Sequence, residues 1–142
     1  MDHGWGNAKP VFRVASLADS IAYYVNVLGF KLDWSHEHSF ASVSRARCGI
    51  FLCEGDQGHP GAWTWIGVPD ARAVHDELVA RGARVRHPPA NFEWALEMQV
   101  EDLDGNVLRL GSDPIADMPF GPWRDMNGVL WTKTESGWAH HE

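Results

Sequence analysis

The chain has 142 residues, 44% hydrophobic and 22% charged, proportions that exclude a disordered or fibrous protein and fit one globular domain over residues 1–142. Twelve basic against nineteen acidic residues give a net charge of −7, which argues against nucleic acid or an anionic membrane as the partner. No apolar run reaches the length of a membrane span, MDHGWGNAKP is not a secretory signal, and Cys48 and Cys53 make neither a disulfide framework nor a zinc pattern, so a reduced cytoplasm is the expected location.

In chain order, Lys9 to Val14 reads as a strand. Ser16, with Asp19 three residues on, has the form of a helix N-cap. Ile21, Tyr24, Val25 and Leu28 then fall at i, i+3, i+4 and i+7, one apolar helical face, and Gly29 ends it. Strand-like segments follow at Phe30–His36, Phe40–Ser44 and Gly49–Cys53. The turn-rich segment Glu54–Gly61 reads as a connector.

The same order then recurs. Trp63 to Val68 is a strand, Asp70 is an N-cap, and Ala71, Val74 and Leu78 form an apolar stripe that stops at Gly82. Strands are expected near Ala83–Arg86, Leu96–Val100 and Val107–Gly111, with Asp104-Gly105 as a two-residue hairpin turn whose central positions both need positive φ. Gly29 and Gly82 stand 53 residues apart, and Val14 and Val68 stand 54 apart, which makes two strand-helix-strand-strand-strand units the natural account. The expected organisation is a first module over about residues 9–54, a second over about 62–112, and an irregular C-terminal tail over 113–142 that packs over something.

Strands send alternate side chains to opposite faces, so Trp63, Trp65 and Gly67 share one face of AWTWIGV, and Thr64, Ile66 and Val68 share the other. Ile50, Leu52, Leu108 and Leu110 match the aliphatic face and belong under the helices. The opposite face carries Gly49, Phe51, Cys53, Trp63, Trp65, Val107 and Arg109, with Lys9, Val11 and Arg13 from the first strand. Aromatics mixed with a few cations suit a concave ligand site better than a core.

Together, the repeated unit, the segment VASLADSIAYYVNVLGFKLDW and the ending VEDLDGNVLRLG resemble the vicinal oxygen chelate superfamily, the group of glyoxalase I, extradiol dioxygenases and bleomycin-resistance proteins, over roughly residues 9–112. The resemblance implies an α+β fold in which two βαβββ modules form an open, cup-shaped mixed sheet. It also implies a four-ligand metal site in the enzymes, which by position falls here at Lys9, Phe51, Trp63 and Arg109. None of these is a histidine or a carboxylate, so no metal, no other cofactor and no catalytic residue is expected. AWTWIGV resembles the Trp-x-Trp strand of the metal-free bleomycin-resistance branch. That likeness implies that Asp33, Trp34, Phe40, Trp63 and Trp94 line a ligand crevice. It further implies an arm-exchanged homodimer, with Pro10 turning residues 1–9 toward the partner. Proteins of that branch sequester a cationic drug, whereas Lys9, Arg13 and Arg109 suit an anionic or neutral ligand.

The expected binding residues are therefore Asp33, Trp34, Phe40, Phe51, Trp63, Trp65, Trp94 and Arg109, holding a small aromatic or amphipathic molecule, with antibiotics among the candidates. Plainer readings stand beside this one. Trp63 and Trp65 could instead pack in a dimer core, Arg109 has Glu97 as a candidate ion-pair partner, and Cys48 and Cys53 read as buried thiols. His36 and His38, two apart on a strand, share a face and are the best remaining metal candidates, while His140-His141 reads as a disordered terminus. Two functional alternatives stay open: a lyase, isomerase or dioxygenase of the superfamily with a rearranged site that uses His36 or His38, and an interaction module whose aromatic face meets a protein.

Overall fold

A computed structural model of the chain describes residues 3–140. The first unit comprises β1 (Val11–Arg13), α1 (Leu17–Asn26), β2 (Lys31–His36), β3 (Phe40–Arg45) and β4 (Cys48–Cys53). The second repeats the order with β5 (Trp63–Gly67), α2 (Ala71–Ala80), β6 (Arg84–Asn91), β7 (Leu96–Glu101) and β8 (Val107–Ser112). Each unit builds a four-stranded mixed sheet, ordered β1-β4-β3-β2 and β5-β8-β7-β6. In each, the helix carries the chain from one edge strand to the other, and the first strand pairs in parallel with the last.

Local chemistry explains both helices. The Ser16 hydroxyl accepts from the Asp19 amide at 3.2 Å, and the Asp70 carboxylate accepts from Arg72 and Ala73 at 3.0 and 3.3 Å. These bonds satisfy amides that the first turn leaves without partners. Gly29 and Gly82 end the helices at φ 75° and 84°, a region that costs other residues about 1–2 kcal/mol.

The helices cover the aliphatic faces of both sheets, so the two units share one core. Phe12, Leu17, Tyr24, Leu28, Val43, Ile50 and Leu52 from the first unit pack in the same cluster as Leu78, Met98, Val100, Leu108 and Leu110 from the second. Each such side chain contributes about 1.5–3 kcal/mol by leaving water. A polar seam fixes their relative position. Buried Asp102 accepts from Tyr24 Oη at 2.9 Å and from Asn106 Nδ2 at 2.9 Å, and Asn106 reaches Arg13 O and the Ala62 amide. Burial holds the Asp102 carboxyl above the usual carboxylate range despite these bonds. Arg45 grips Glu77 of α2 through two bonds, at 2.9 and 2.6 Å.

Three expectations are corrected here. The Asp104-Gly105 turn does join β7 to β8, but Gly105 alone has positive φ. Asp102 Oδ1 accepts the amides of Asp104 and Asn106 at 2.9 and 3.0 Å and so holds a longer turn closed. The strand expected at Ala83–Arg86 continues to Asn91, because register shifts around His87 let an edge strand absorb Pro88 and Pro89. The tail is not irregular. β9 (Trp123–Arg124), β10 (Leu130–Thr134) and β11 (Gly137–His140) form an antiparallel sheet ordered β11-β10-β9. The His140 ring lies 4.7 Å from that of Trp131, so this residue is not a loose end; His141 lies outside the described residues. Among the described residues no helix is long and apolar enough to cross a membrane.

Candidate functional site

The register of the second sheet decides which side chains meet on its outward face. His87 pairs with Gln99, Gln99 with Arg109, and Arg109 with Trp65, which sets these four in one row across the sheet. In the next row Glu97 lies opposite Gly111, and Gly111 opposite Gly67. The glycines leave a bare shelf on which the Trp65 indole rests. A Cβ added at Gly111 would fall 2.7 Å from Trp65 Cζ2.

Glu97 is the polar centre of this face and is only 2% exposed. Arg109 grips it in bidentate fashion, with Nε 3.1 Å from Oε2 and Nη2 3.0 Å from Oε1. The Trp65 indole N–H reaches Oε1 at 3.1 Å, and the Trp94 indole N–H donates to the same oxygen. Burying a carboxylate is tolerable only with such partners. The arrangement also neutralises the site, because the one guanidinium on the cavity wall is matched by the one carboxylate.

The tail sheet overhangs this face and forms with it a half-open cavity of about 430 Å³, lined by Trp63, His87, Phe92, Trp94, Glu97, Gln99, Arg109, Trp123, Trp131 and Trp138. That volume falls in the range of small-molecule pockets, about 300–1,000 Å³. Phe92 stacks with Trp94 at 5.1 Å between ring centroids and with Trp138 at 6.1 Å. The roof is tied to the edge strand β6. Asn91 Nδ2 donates to Ile115 O and Met118 O, each at 2.9 Å, and Asn91 O accepts the Gly121 amide at 2.8 Å. Arg86 donates to Asp125 O, and Arg124 Nε reaches back to Arg86 O at 2.9 Å. Asp125 holds the hairpin before β10: its carboxylate accepts from Trp131 Nε1 and Val129 N, each at 2.9 Å, and these bonds, led by the one from Trp131, keep it below the usual carboxylate range.

His87 is 3% exposed and forms part of the cavity wall. Its Nδ1 lies 2.8 Å from Pro88 O. Burial, reinforced by Arg124 and Arg86 nearby, pushes the imidazole below the ordinary histidine value and keeps it neutral, against the opposing pull of Glu97 and of the bond to Pro88. Nε2 is buried without a hydrogen-bond partner among the described residues. An unmet buried acceptor costs about 1–3 kcal/mol.

The residues singled out in the sequence divide between two places. Trp63, Trp94 and Arg109 line the cavity, while Trp65 lies beside it and steadies Glu97. Asp33, Trp34, Phe40 and Phe51 lie on the outward face of the first sheet. The Trp34 and Phe40 rings are 6.0 Å apart, Phe40 and Phe51 are 5.2 Å apart, and Lys9 Nζ sits 5.0 Å from the Phe51 centroid. Strict alternation would put Asp33 and Trp34 on opposite faces. A bulge between Leu32 and Trp34 turns both outward, so that Asp33 accepts from Ser42 and Ser44 at 3.2 and 2.8 Å. Arg13 does not face a ligand site; it donates to Gln57 O and Gly58 O at 2.8 and 3.0 Å. His87, Phe92, Gln99 and the three tail tryptophans were not expected as cavity residues, and Glu97 was expected only as an ion-pair partner of Arg109. The one available signal was the wealth of tryptophan in the tail.

The fold is associated with metal-dependent enzymes, so the fit of a metal must be tested on the donors present. The cavity offers one histidine and one carboxylate, and both oxygens of that carboxylate are engaged by Arg109 and the two indoles. No three of His, Cys, Asp and Glu gather into a metal site among the described residues. His36 lies at the exposed β2–β3 turn, 3.9 Å from the neighbouring Glu37 carboxylate. The residues present do not fit a divalent ion.

Paired modules of this order, each a helix over a four-stranded mixed sheet, define a class of small α+β proteins. The chain belongs to the glyoxalase/bleomycin resistance protein/dioxygenase superfamily, whose family model matches residues 8–110. Among solved structures it is similar to the bleomycin-binding protein of Streptomyces verticillus complexed with copper(II)-bleomycin, at 22% identity and a TM-score of 0.67, over 76% of this chain and 96% of that one. It is also similar to TnmS3, an antibiotic-binding protein from Streptomyces sp. CB03234, at 22% identity and a TM-score of 0.63, over 78% and 98% of the two chains. A glyoxalase/bleomycin resistance protein/dioxygenase from Nocardioides aligns at 16% identity and a TM-score of 0.61, over 82% and 91%. Likeness at these identities is a likeness of fold. No curated protein matches the chain in sequence. The family match ends at residue 110, before the tail sheet begins.

Proposed function

We propose that this protein binds and sequesters a small aromatic or amphipathic molecule without metal and without altering it. The observation that carries this reading is the cavity of about 430 Å³ whose walls hold five tryptophans and a phenylalanine around a neutralised Glu97–Arg109 pair. Flat aromatic walls gain area burial plus about 0.5–1.5 kcal/mol for each good stack, and several stacks acting together give useful affinity. The antibiotic-binding proteins among its structural relatives make aromatic antibiotics the first class to try. The absence of a net charge on the wall favours a neutral ligand. In this reading the working form is an arm-exchanged homodimer. Trp5 is 87% exposed and Trp34 48% exposed, and the outer edge of β5 has no strand partner among the described residues. Such surface is what a second copy would cover.

The test is calorimetric titration of the purified chain with a panel of two- and three-ring aromatics, run alongside light scattering and elemental analysis. The expected result is saturable one-to-one binding to a metal-free dimer. A chain that binds none of the panel, or that turns over a bound compound only when a stoichiometric divalent metal is present, contradicts the reading.

A further inference from the structure

The two units are joined unequally. Counted back from the glycines that end the helices, Tyr23 and Tyr24 of α1 stand where α2 has Asp76 and Glu77. The tyrosines fill the corner between α1 and the β7–β8 turn, where Tyr23 Oη donates to Glu101 O at 2.7 Å and Tyr24 Oη to Asp102 at 2.9 Å. At the matching corner, between α2 and the β3–β4 turn, α2 supplies no ring. Asp76 is exposed, and Glu77 takes Arg45 at 2.9 and 2.6 Å. Beside that pair remains a half-open cleft of about 510 Å³. Its wall is mainly aliphatic, with Leu28 from the first unit and Ile66, Val68, Val74 and Leu78 from the second. The β3–β4 turn brings Arg45 and Arg47 to the lining, which holds no acidic residue among the described residues. Arg45 is committed to Glu77, whereas Arg47 is exposed and has no hydrogen-bond or ion-pair partner among the described residues.

We propose that this cleft is a second ligand site, separate from the tryptophan-lined cavity, and that it takes an amphipathic carboxylate, with an alkyl chain among the aliphatic side chains and the anionic head on Arg47. A flexible chain can follow a wall of branched aliphatic groups, where a flat ring finds few faces to stack on. The head group is chosen by charge. A cationic head would meet two arginines and no acid on the lining. A neutral head would leave the Arg47 guanidinium to solvent. An ionised carboxylate accepts charge-assisted bonds from the guanidinium fork, which are stronger than neutral ones. The site stands apart from the reading of the aromatic cavity and survives or fails without it.

The test is calorimetry on the full chain with decanoate, 1-decanol and hexanoate. Decanoate is expected to bind one-to-one and about fivefold tighter than 1-decanol, the size of effect that an ion pair at a half-open rim supplies. The preference is expected to shrink at high salt. Hexanoate, with less chain to bury, is expected to bind roughly tenfold or more weakly than decanoate. In Arg47→Ala, a change at an exposed position, the acid and the alcohol are expected to bind alike. The methyl resonances of Ile66 and Val74 are expected to move with decanoate while the Trp63 indole resonance stays. Equal affinity of acid and alcohol in the native chain, a preference retained in Arg47→Ala, or a response at Trp63 in place of Val74 would each overturn the assignment. So would a chain that binds no decanoate, and a dimer in which Cys48, on the cleft lining, is already shielded from alkylation would then show that a second copy covers the cleft.

Discussion

The two sheets present the same face by the same topology and do different things with it. On the first, Trp34 stacks on Phe40, Phe51 tilts against both on an uncovered face, and Asp33 is steadied by two serines. On the second, the aromatics line a half-open cavity, and Glu97 is buried at the meeting point of two indoles and a guanidinium. The repeated module therefore supplies a platform rather than a site. What turns one platform into a cavity is a buried carboxylate that organises the aromatics, and a tail sheet beyond the repeat that roofs them. The contrast also bears on the charge of the wall. Each cation that looked available in the sequence is committed: Lys9 to the Phe51 ring, Arg13 to loop carbonyls and Arg109 to Glu97.

Paired substitutions on the two faces are the sharpest way to break this contrast. Glu97→Ala strands a partly covered guanidinium and two indole N–H groups. It is expected to cost about 2–4 kcal/mol, at the lower end of buried-pair losses because Arg109 is about one-third exposed, and to abolish aromatic binding. Asp33→Ala loses two hydroxyl bonds near solvent and is expected to cost about 1 kcal/mol and leave binding intact. Denaturant unfolding and calorimetry on both variants check this. Comparable losses from the two would dissolve the distinction between the faces.

Trp63→Ala and Phe51→Ala form the second pair. The first removes a cavity wall and is expected to weaken aromatic binding roughly ten- to hundredfold while the sheet stays folded. The second is expected to leave binding in the cavity unchanged, since Phe51 lies on the other sheet. If Trp63→Ala instead costs about 3–5 kcal/mol of stability with affinity unchanged, Trp63 is core and the cavity is not the site.

The roof is probed by Gly121→Ala. Gly121 has φ 81°, and a Cβ there would meet Trp138 Cζ3 at 2.8 Å. A loss of about 1–2 kcal/mol is expected. Hydrogen exchange should show the loosening confined to the segment after residue 112, with the first face untouched.

The smallest expected effect is on pH dependence. Burial lowers the His87 pKa below its ordinary 6.5, so the unfolded chain takes up a proton there before the folded chain does. Stability from this group is fully present above 6.5 and falls as pH drops below that value through the folded pKa. Of the charged groups that act on the ring, Glu97 favours the protonated form, and Arg124 and Arg86 favour the neutral one. His87→Phe is expected to flatten this part of the stability–pH curve. An unchanged slope would show that the imidazole is not held neutral.

Much of the fold was legible in the chain because its causes are local. Ser16 and Asp70 cap by hydrogen bonds within three residues, Gly29 and Gly82 stop helices by their own φ, and the alternation of Ile50, Leu52, Leu108 and Leu110 marks the face that must leave water. The repeat followed from spacing, and with it came the family. Part of the site was legible for the same reason: alternation alone puts Trp63 and Arg109 on one face. Tertiary structure decided the rest, because the deciding contacts join residues far apart in sequence. Trp65 reaches Glu97 across 32 positions, and Arg86 reaches the tail across 39. A bulge, which no alternation predicts, brings Asp33 and Trp34 to one face, and two prolines hid the strand that carries His87. The tail sheet has little apolar alternation of its own and takes its order from docking on the edge of β6, so only the folded chain shows which tryptophans line the cavity.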